Sequence, residues 1–211
     1  MGTLALAKYG IDLHKLLGLH FFLAPSFRIW QLVTYQFLHE GFQHILFNMF
    51  AVWMFGRIME VQWGSKKFLI FYLLCGIGAG LMQELCQFVH YGLVYSHYEV
   101  VAIGNGMTIP MMQYLDRILT VGASGAVYGI LLGYGMTFPN NQLFIIPIPF
   151  PIKAKWLVIG YVVLELGLGI RGSAADNVAH FAHLGGMLAG FLIMLYWKHK
   201  ERKDNHINFT W

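Results

Sequence analysis

Ser124 and His183 are the two residues whose types and settings fit them for chemistry. Ser124 lies in the run Val-Gly-Ala-Ser-Gly-Ala-Val-Tyr of residues 121–128, at the head of an apolar stretch that reaches Phe138. A serine inside a membrane helix commonly bonds back to a carbonyl one turn earlier. This one has an unusual setting. Gly125, Gly129 and Gly133 recur every four residues and form a smooth stripe, the kind of surface that lets a second helix backbone approach closely. The second helix is visible in residues 182–190, where His183 is followed by Gly186 and Gly190. A serine and a histidine on two helices that small residues allow to touch are the minimum for a base-activated nucleophile.

The elements that must hold this pair belong to a membrane protein. Apolar residues make up 57% of the 211-residue chain and charged residues 11%, against about 25% charged in a soluble domain. At about 20 residues per span the length admits roughly six spans. The net charge of +4 does not point to nucleic acid, because the basic residues lie between apolar runs and act as topology signals. Cys75 and Cys86 share one apolar stretch without metal or redox spacing and read as buried free thiols. No cleavable signal peptide is expected.

Taken in order, residues 1–7 are apolar but too short to cross ~30 Å of hydrocarbon. Residues 8–43 mix charge with aromatics and read as a structured interfacial segment. Spans are expected over residues 44–61, 68–88, 121–138, 156–170 and 177–197. Residues 89–119 form a long loop, part of which reads as an amphipathic helix, and the prolines at 147, 149 and 151 make an extended connector. Residues 198–211 form a charged tail. The architecture is an all-α polytopic bundle divided into residues 1–43, 44–197 and 198–211.

Arg57, Lys66, Lys67, Lys153, Lys155, Lys198, Lys200, Arg202 and Lys203 fall on one side of these spans, which makes that side, and the tail, cytoplasmic. Helices beginning at His44, Val121 and Asn177 then all enter from outside. His44 and Asn48, Ser124 and Tyr128, and His180 and His183 occupy the first two turns of three such helices. All lie within roughly 10 Å of the outer ends. Polar groups at one depth in hydrocarbon must face a cavity or one another, and a reaction centre follows.

A metal site is the rival chemistry. His39 and His44 are five apart and point ~140° away from a shared face. His180 and His183 have helical spacing, but no carboxylate is expected at their depth; Glu84 and Glu165 read as isolated. No metal is called for. A transporter is disfavoured for want of repeated broken helices and an intramembrane carboxylate cluster.

The motifs together resemble the rhomboid intramembrane serine proteases. They are His-x-x-x-Asn at His44 and Asn48, Gly-x-Ser-Gly from Gly122 to Gly125, and Ala-His-x-x-Gly-x-x-x-Gly from Ala182 to Gly190. The stretch joining Gly56, Glu60, Gly64 and Ser65 also matches, and similarity covers about residues 27–197. The resemblance implies a six-helix bundle whose first span is reduced here to a stub. It implies that Ser124 is the nucleophile and His183, identified by Gly186 and Gly190, its base. Tyr128 would pack on the His183 ring. His44, Asn48 and the Ser124 N–H would bind the oxyanion, with no acidic third member and no cofactor. Substrates would be single-span proteins cleaved near the outer end of their span, in a multi-pass protein of the bacterial plasma membrane. The functional alternative is a silent rhomboid-like protein that binds other spans; loss of the serine or histidine would mark it, and both are present. One departure stands out: the family's Trp-Arg pair is here Trp30-Gln31, so the arginine's anchoring role is absent or moved.

Overall fold

In hydrocarbon, backbone polar groups must be bonded within their own segment, so the proline-free apolar runs become helices. A computed structural model of the protein describes residues 12–144, 149–171 and 174–207. The apolar stretch 1–7 and the centre of the proline-rich connector lie outside the described residues.

The chain enters through α1 (Leu13–Leu17), whose N-terminal amides of His14 and Lys15 are capped by the Asp12 carboxylate. Strand β1 (Leu19–His20) and the short α2 (Gln31–Thr34) follow. Helix α3 (Gly41–Ala51) runs through a wider π-helical stretch, Val52–Gly56, into α4 (Arg57–Trp63). Gly64, at φ 82°, turns the chain into α5 (Ser65–His90), which continues as a π turn to Tyr95.

The long loop holds a short amphipathic helix, with Met111 and Leu115 buried and Met112 exposed, and ahead of it an unexpected hairpin. The hairpin joins β2 (Val100–Gly104) and β3 (Met107–Pro110), and the helix is one turn, α6 (Met111–Leu115). Gly104, Asn105 and Gly106 all take positive φ at the hairpin tip, a conformation that glycine and asparagine tolerate best. Strand β4 (Leu119–Thr120) pairs with β1 and leads to α7 (Ser124–Thr137). A small hairpin of β5 (Gln142–Leu143) and β6 (Ile152–Lys153) joins α7 to α8 (Ala154–Arg171). Helix α9 (Ala174–Ile207) closes the fold.

Helix α5 packs against both α7 and α9. Its buried face carries Phe71, Cys75 and Ala79, each at most 1% exposed, at the i, i+4, i+8 spacing of one helical face. Among the described residues, two segments, Ser65–Tyr95 and His180–Lys203, are each long and apolar enough to cross a membrane. The 14 residues of α7 extend only about 21 Å, short of the ~30 Å hydrocarbon core.

Residues 12–40 fold back onto α5. Phe21 and Tyr35 turn inward, while Phe22, Trp30 and Phe37 stay exposed. Gln31 is 1% exposed. Its Oε1 accepts from the amides of His20 and Arg28, and its Nε2 donates to the carbonyls of Leu16 and Ser26. The residue at the family's arginine position therefore still anchors this loop, through an amide. The Tyr35 hydroxyl donates to the Gly76 carbonyl at 2.7 Å. Gly76 and Gly80 serve this loop rather than another span: a Cβ on Gly76 would collide with Gln36, and one on Gly80 would press on Leu19, Leu32 and Tyr35.

Candidate active site

The backbone before Ser124 explains where α7 begins. Gly122 sits at φ 126°, and its N–H donates to the Tyr35 carbonyl at 3.0 Å. The segment from 121 to 123 is thereby held outside the helix, and Ser124 becomes the first helical residue. Its amide belongs to the first turn, where N–H groups have no intrahelical acceptor.

The glycine stripes bring the histidine to it. A Cβ on Gly186 would lie 1.9 Å from the Gly125 carbonyl oxygen, and one on Gly129 would lie 3.0 Å from the Gly186 carbonyl. Helices α7 and α9 are therefore in backbone contact beside the pair. His183 Nε2 is 2.9 Å from Ser124 Oγ. The His183 ring stacks on Tyr128 with centroids 4.2 Å apart and planes inclined by 10°. A Cβ on Gly190 would lie 3.3 Å from the Gly129 carbonyl oxygen, which continues the contact one turn on.

Behind the histidine lies a residue that sequence reasoning passed over. Glu165 of α8 is 3% exposed. Its Oε2 is 3.2 Å from His183 Nδ1 and 2.6 Å from His180 Nδ1, and its Oε1 accepts from the Tyr128 hydroxyl. Glu165 is therefore not isolated, and a carboxylate does stand at the depth of the two histidines. Glu84 is not isolated either: it accepts from the Phe22 amide at 2.7 Å. The cost of a carboxyl inside an apolar run was the signal available in the sequence. Its partners are on other helices and leave no local spacing to read.

Among the described residues, Glu165, His180 and His183 form a group whose ligand-type atoms lie within 4.8 Å of one another. Those atoms are already engaged with one another, and His183 Nε2 faces a hydroxyl rather than an open coordination position. The geometry is that of a hydrogen-bonded network.

His44 and Asn48 share one face of α3. The Glu40 amide donates to His44 Nδ1 at 3.3 Å, which requires the neutral ring's proton on Nε2. That Nε2 lies 2.7 Å from where a Gly122 Cβ would stand, so only glycine fits there. Asn48 is buried, and its Nδ2 donates one proton to the His44 carbonyl at 3.0 Å, leaving the second for another acceptor. A cavity of about 460 Å3 opens at Ser124 and His183 and is lined by Tyr35, Gln83, Gln87, His90 and Gly122.

A family model described as the rhomboid domain matches residues 26–200. The chain belongs to the rhomboid family. It is 29% identical over 164 residues to the rhomboid protease GluP of Bacillus subtilis, covering 77% of this chain and 25% of that protein. It is 27% identical over 170 residues to the rhomboid protease GlpG of Yersinia pseudotuberculosis, covering 81% of this chain and 48% of that one. RHOMBOID-like protein 4 of Arabidopsis thaliana is 28% identical over 166 residues, covering 78% and 33%. This rhomboid chain thus spans a quarter to a half of the length of these relatives. Family membership makes it an integral membrane protein, in keeping with the helical fold.

Within the rhomboid domain, Ser124, Tyr128 and His183 meet in one cluster. His44 stands against Gly122 at its edge. Gly122, Gly125, Gly186 and Gly190 all lie at close approaches that a side chain would obstruct.

Proposed function

We propose that this rhomboid is an intramembrane serine endopeptidase that cleaves transmembrane segments of single-span proteins. The observation that carries the reading is the 2.9 Å contact of Ser124 Oγ with His183 Nε2, on a ring fixed by stacking against Tyr128. In the reaction His183 Nε2 takes the hydroxyl proton as Oγ bonds to the scissile carbonyl carbon. The same proton then passes to the leaving amine. The negative charge that develops on the carbonyl oxygen is met by the Ser124 N–H, His44 Nε2 and Asn48 Nδ2. Losing one such donor typically costs about 10²–10³ in rate. No step calls for a metal or organic cofactor.

The substrate span enters from the bilayer near the outer ends of α3, α7 and α9, unwinds locally and presents a small residue to Ser124. The distribution of Lys and Arg supports a C-terminal tail on the cytoplasmic side, of a membrane that the family resemblance makes a bacterial plasma membrane. The catalytic core comprises residues 44–197, with the interfacial segment that precedes it outside and the tail inside.

The test is incubation of detergent-purified protein with a generic single-span substrate, with Ser124→Ala in parallel. Cleavage by the parent and none by the variant is expected. Equal cleavage by both would remove Ser124 from the mechanism.

A further inference from the structure

We propose that Glu165 is a positioning residue for His183, so that the reacting group is a Ser124–His183–Glu165 triad rather than a pair. This rests on the protease reading of Ser124 and His183.

The argument begins with the ring. An imidazole can accept the serine proton at Nε2 only when that nitrogen is unprotonated, which puts the ring's own proton on Nδ1. Something must accept from Nδ1 to hold that tautomer and orientation. Glu165 Oε2 stands 3.2 Å from His183 Nδ1, on the side of the ring opposite Ser124. An ionised carboxylate there also stabilises the imidazolium that forms when Oγ gives up its proton, and itself stays ionised. Atoms and charges balance: the Oγ–H bond breaks, the Nε2–H bond forms, and Nδ1 keeps its proton toward Glu165.

The same carboxylate also holds what the ring rests on. Oε1 takes the Tyr128 hydroxyl, and Tyr128 is the stacking platform of His183. One side chain therefore fixes the ring's plane through its platform and its rotation through Nδ1. His180 Nδ1 sits at 2.6 Å on the Oε2 shared with His183. Ionised Glu165 then has a donor on each side that confines it, the condition for a buried carboxylate to be tolerated.

The position of Glu165 is itself built. It is 3% exposed on a helix held close to α9, where a Cβ on Gly169 would lie 3.3 Å from the Phe181 ring and 3.5 Å from His180 Cβ. A buried carboxylate needs several donors to be tolerated. This one contacts two histidines and the tyrosine that stacks on the serine's partner.

The experiment compares the full chain with Glu165→Gln and Glu165→Asp in detergent. Glu165→Gln keeps shape and removes charge. Three readouts are taken: the rate at which a fluorophosphonate modifies Ser124, kcat and KM on the single-span substrate, and the Nδ1 proton resonance of His183 in protein labelled with 15N-histidine. Expected for Glu165→Gln is a fall of about 10²–10⁴ in both the labelling rate and kcat, with KM unchanged and the downfield Nδ1 proton lost. Glu165→Asp should recover part of the labelling rate. A Glu165→Gln variant that labels and turns over as fast as the parent would overturn the triad while leaving the Ser124–His183 reading intact. A melting temperature that drops in proportion to activity in both variants, with the Nδ1 resonance retained, would reduce Glu165 to a structural strut. A parent that neither labels nor cleaves would overturn the protease reading and the triad with it.

Discussion

Gly186 rests on the backbone of Gly125: a Cβ at 186 would fall 1.9 Å from the Gly125 carbonyl oxygen and 2.7 Å from its carbon. Gly125 follows Ser124, and Gly186 lies one turn after His183. The backbone contact therefore sets the spacing at which serine and histidine meet. Gly186→Ala should separate α7 from α9 and carry His183 away from Ser124. We expect at least a 10²-fold loss of fluorophosphonate labelling and a stability loss of about 1–3 kcal/mol or more, typical of overpacking. Labelling rate and thermal melting measure both. A variant that labels at the parent rate would show that the helices adjust without disturbing the pair.

His183 and His180 should separate sharply on substitution. His183→Ala removes the base and should abolish turnover and labelling while the fold survives. His180→Ala removes a neighbour of Glu165 and should lower kcat by about tenfold with KM unchanged, the lower end of what a lost hydrogen bond to a charged group costs. Equal labelling of His183→Ala and the parent would show that another group activates Ser124.

Gln31 should behave as the keystone of the loop that precedes α3. Gln31→Leu fits the site but leaves the amides of His20 and Arg28 and the carbonyls of Leu16 and Ser26 without that partner. Each unsatisfied buried group costs about 1–3 kcal/mol, so a fall in melting temperature is expected. Limited proteolysis should then cut between residues 12 and 40 before it cuts elsewhere. An unchanged melting temperature would assign the anchoring to other contacts.

Asp116 offers a pH-dependent tie between loops. Partial burial favours its neutral form, but bonds from the Ser26 hydroxyl at 2.9 Å and the Ser26 amide at 2.8 Å prevail and hold it below the usual carboxylate range. A depressed folded value means the stabilisation is complete above the unfolded value of about 3.9 and is lost as pH falls through the folded one. The parent should therefore melt above Asp116→Asn at pH 7, with the gap closing below about pH 4. A gap that widens on acidification would contradict the assignment.

The proposed topology can be read chemically. A cysteine at position 12, where Asp12 is exposed, should react with a membrane-impermeant maleimide added outside intact cells. Reaction only after the cytoplasmic face is opened would invert the orientation.

The sequence by itself determined the membrane class, because composition and hydropathy are properties of the chain. It also determined which residues α7 and α9 bring together. Gly125, Gly129, Gly186 and Gly190 repeat at helical spacing, and such stripes state in one dimension which faces can touch. The tertiary structure decided what no spacing encodes. Glu165 meets His183 because α8 is rotated to face α9, and that rotation depends on packing between helices rather than on residues next to Glu165. Residues 100–110 form a hairpin because Gly104, Asn105 and Gly106 accept positive φ together. Helix α7 starts at Ser124 rather than Val121 because the Tyr35 carbonyl, 87 positions earlier, takes the Gly122 amide and holds that glycine at φ 126°. A polar group's cost is local and can be read from sequence; the partner that meets it is chosen only when the helices pack.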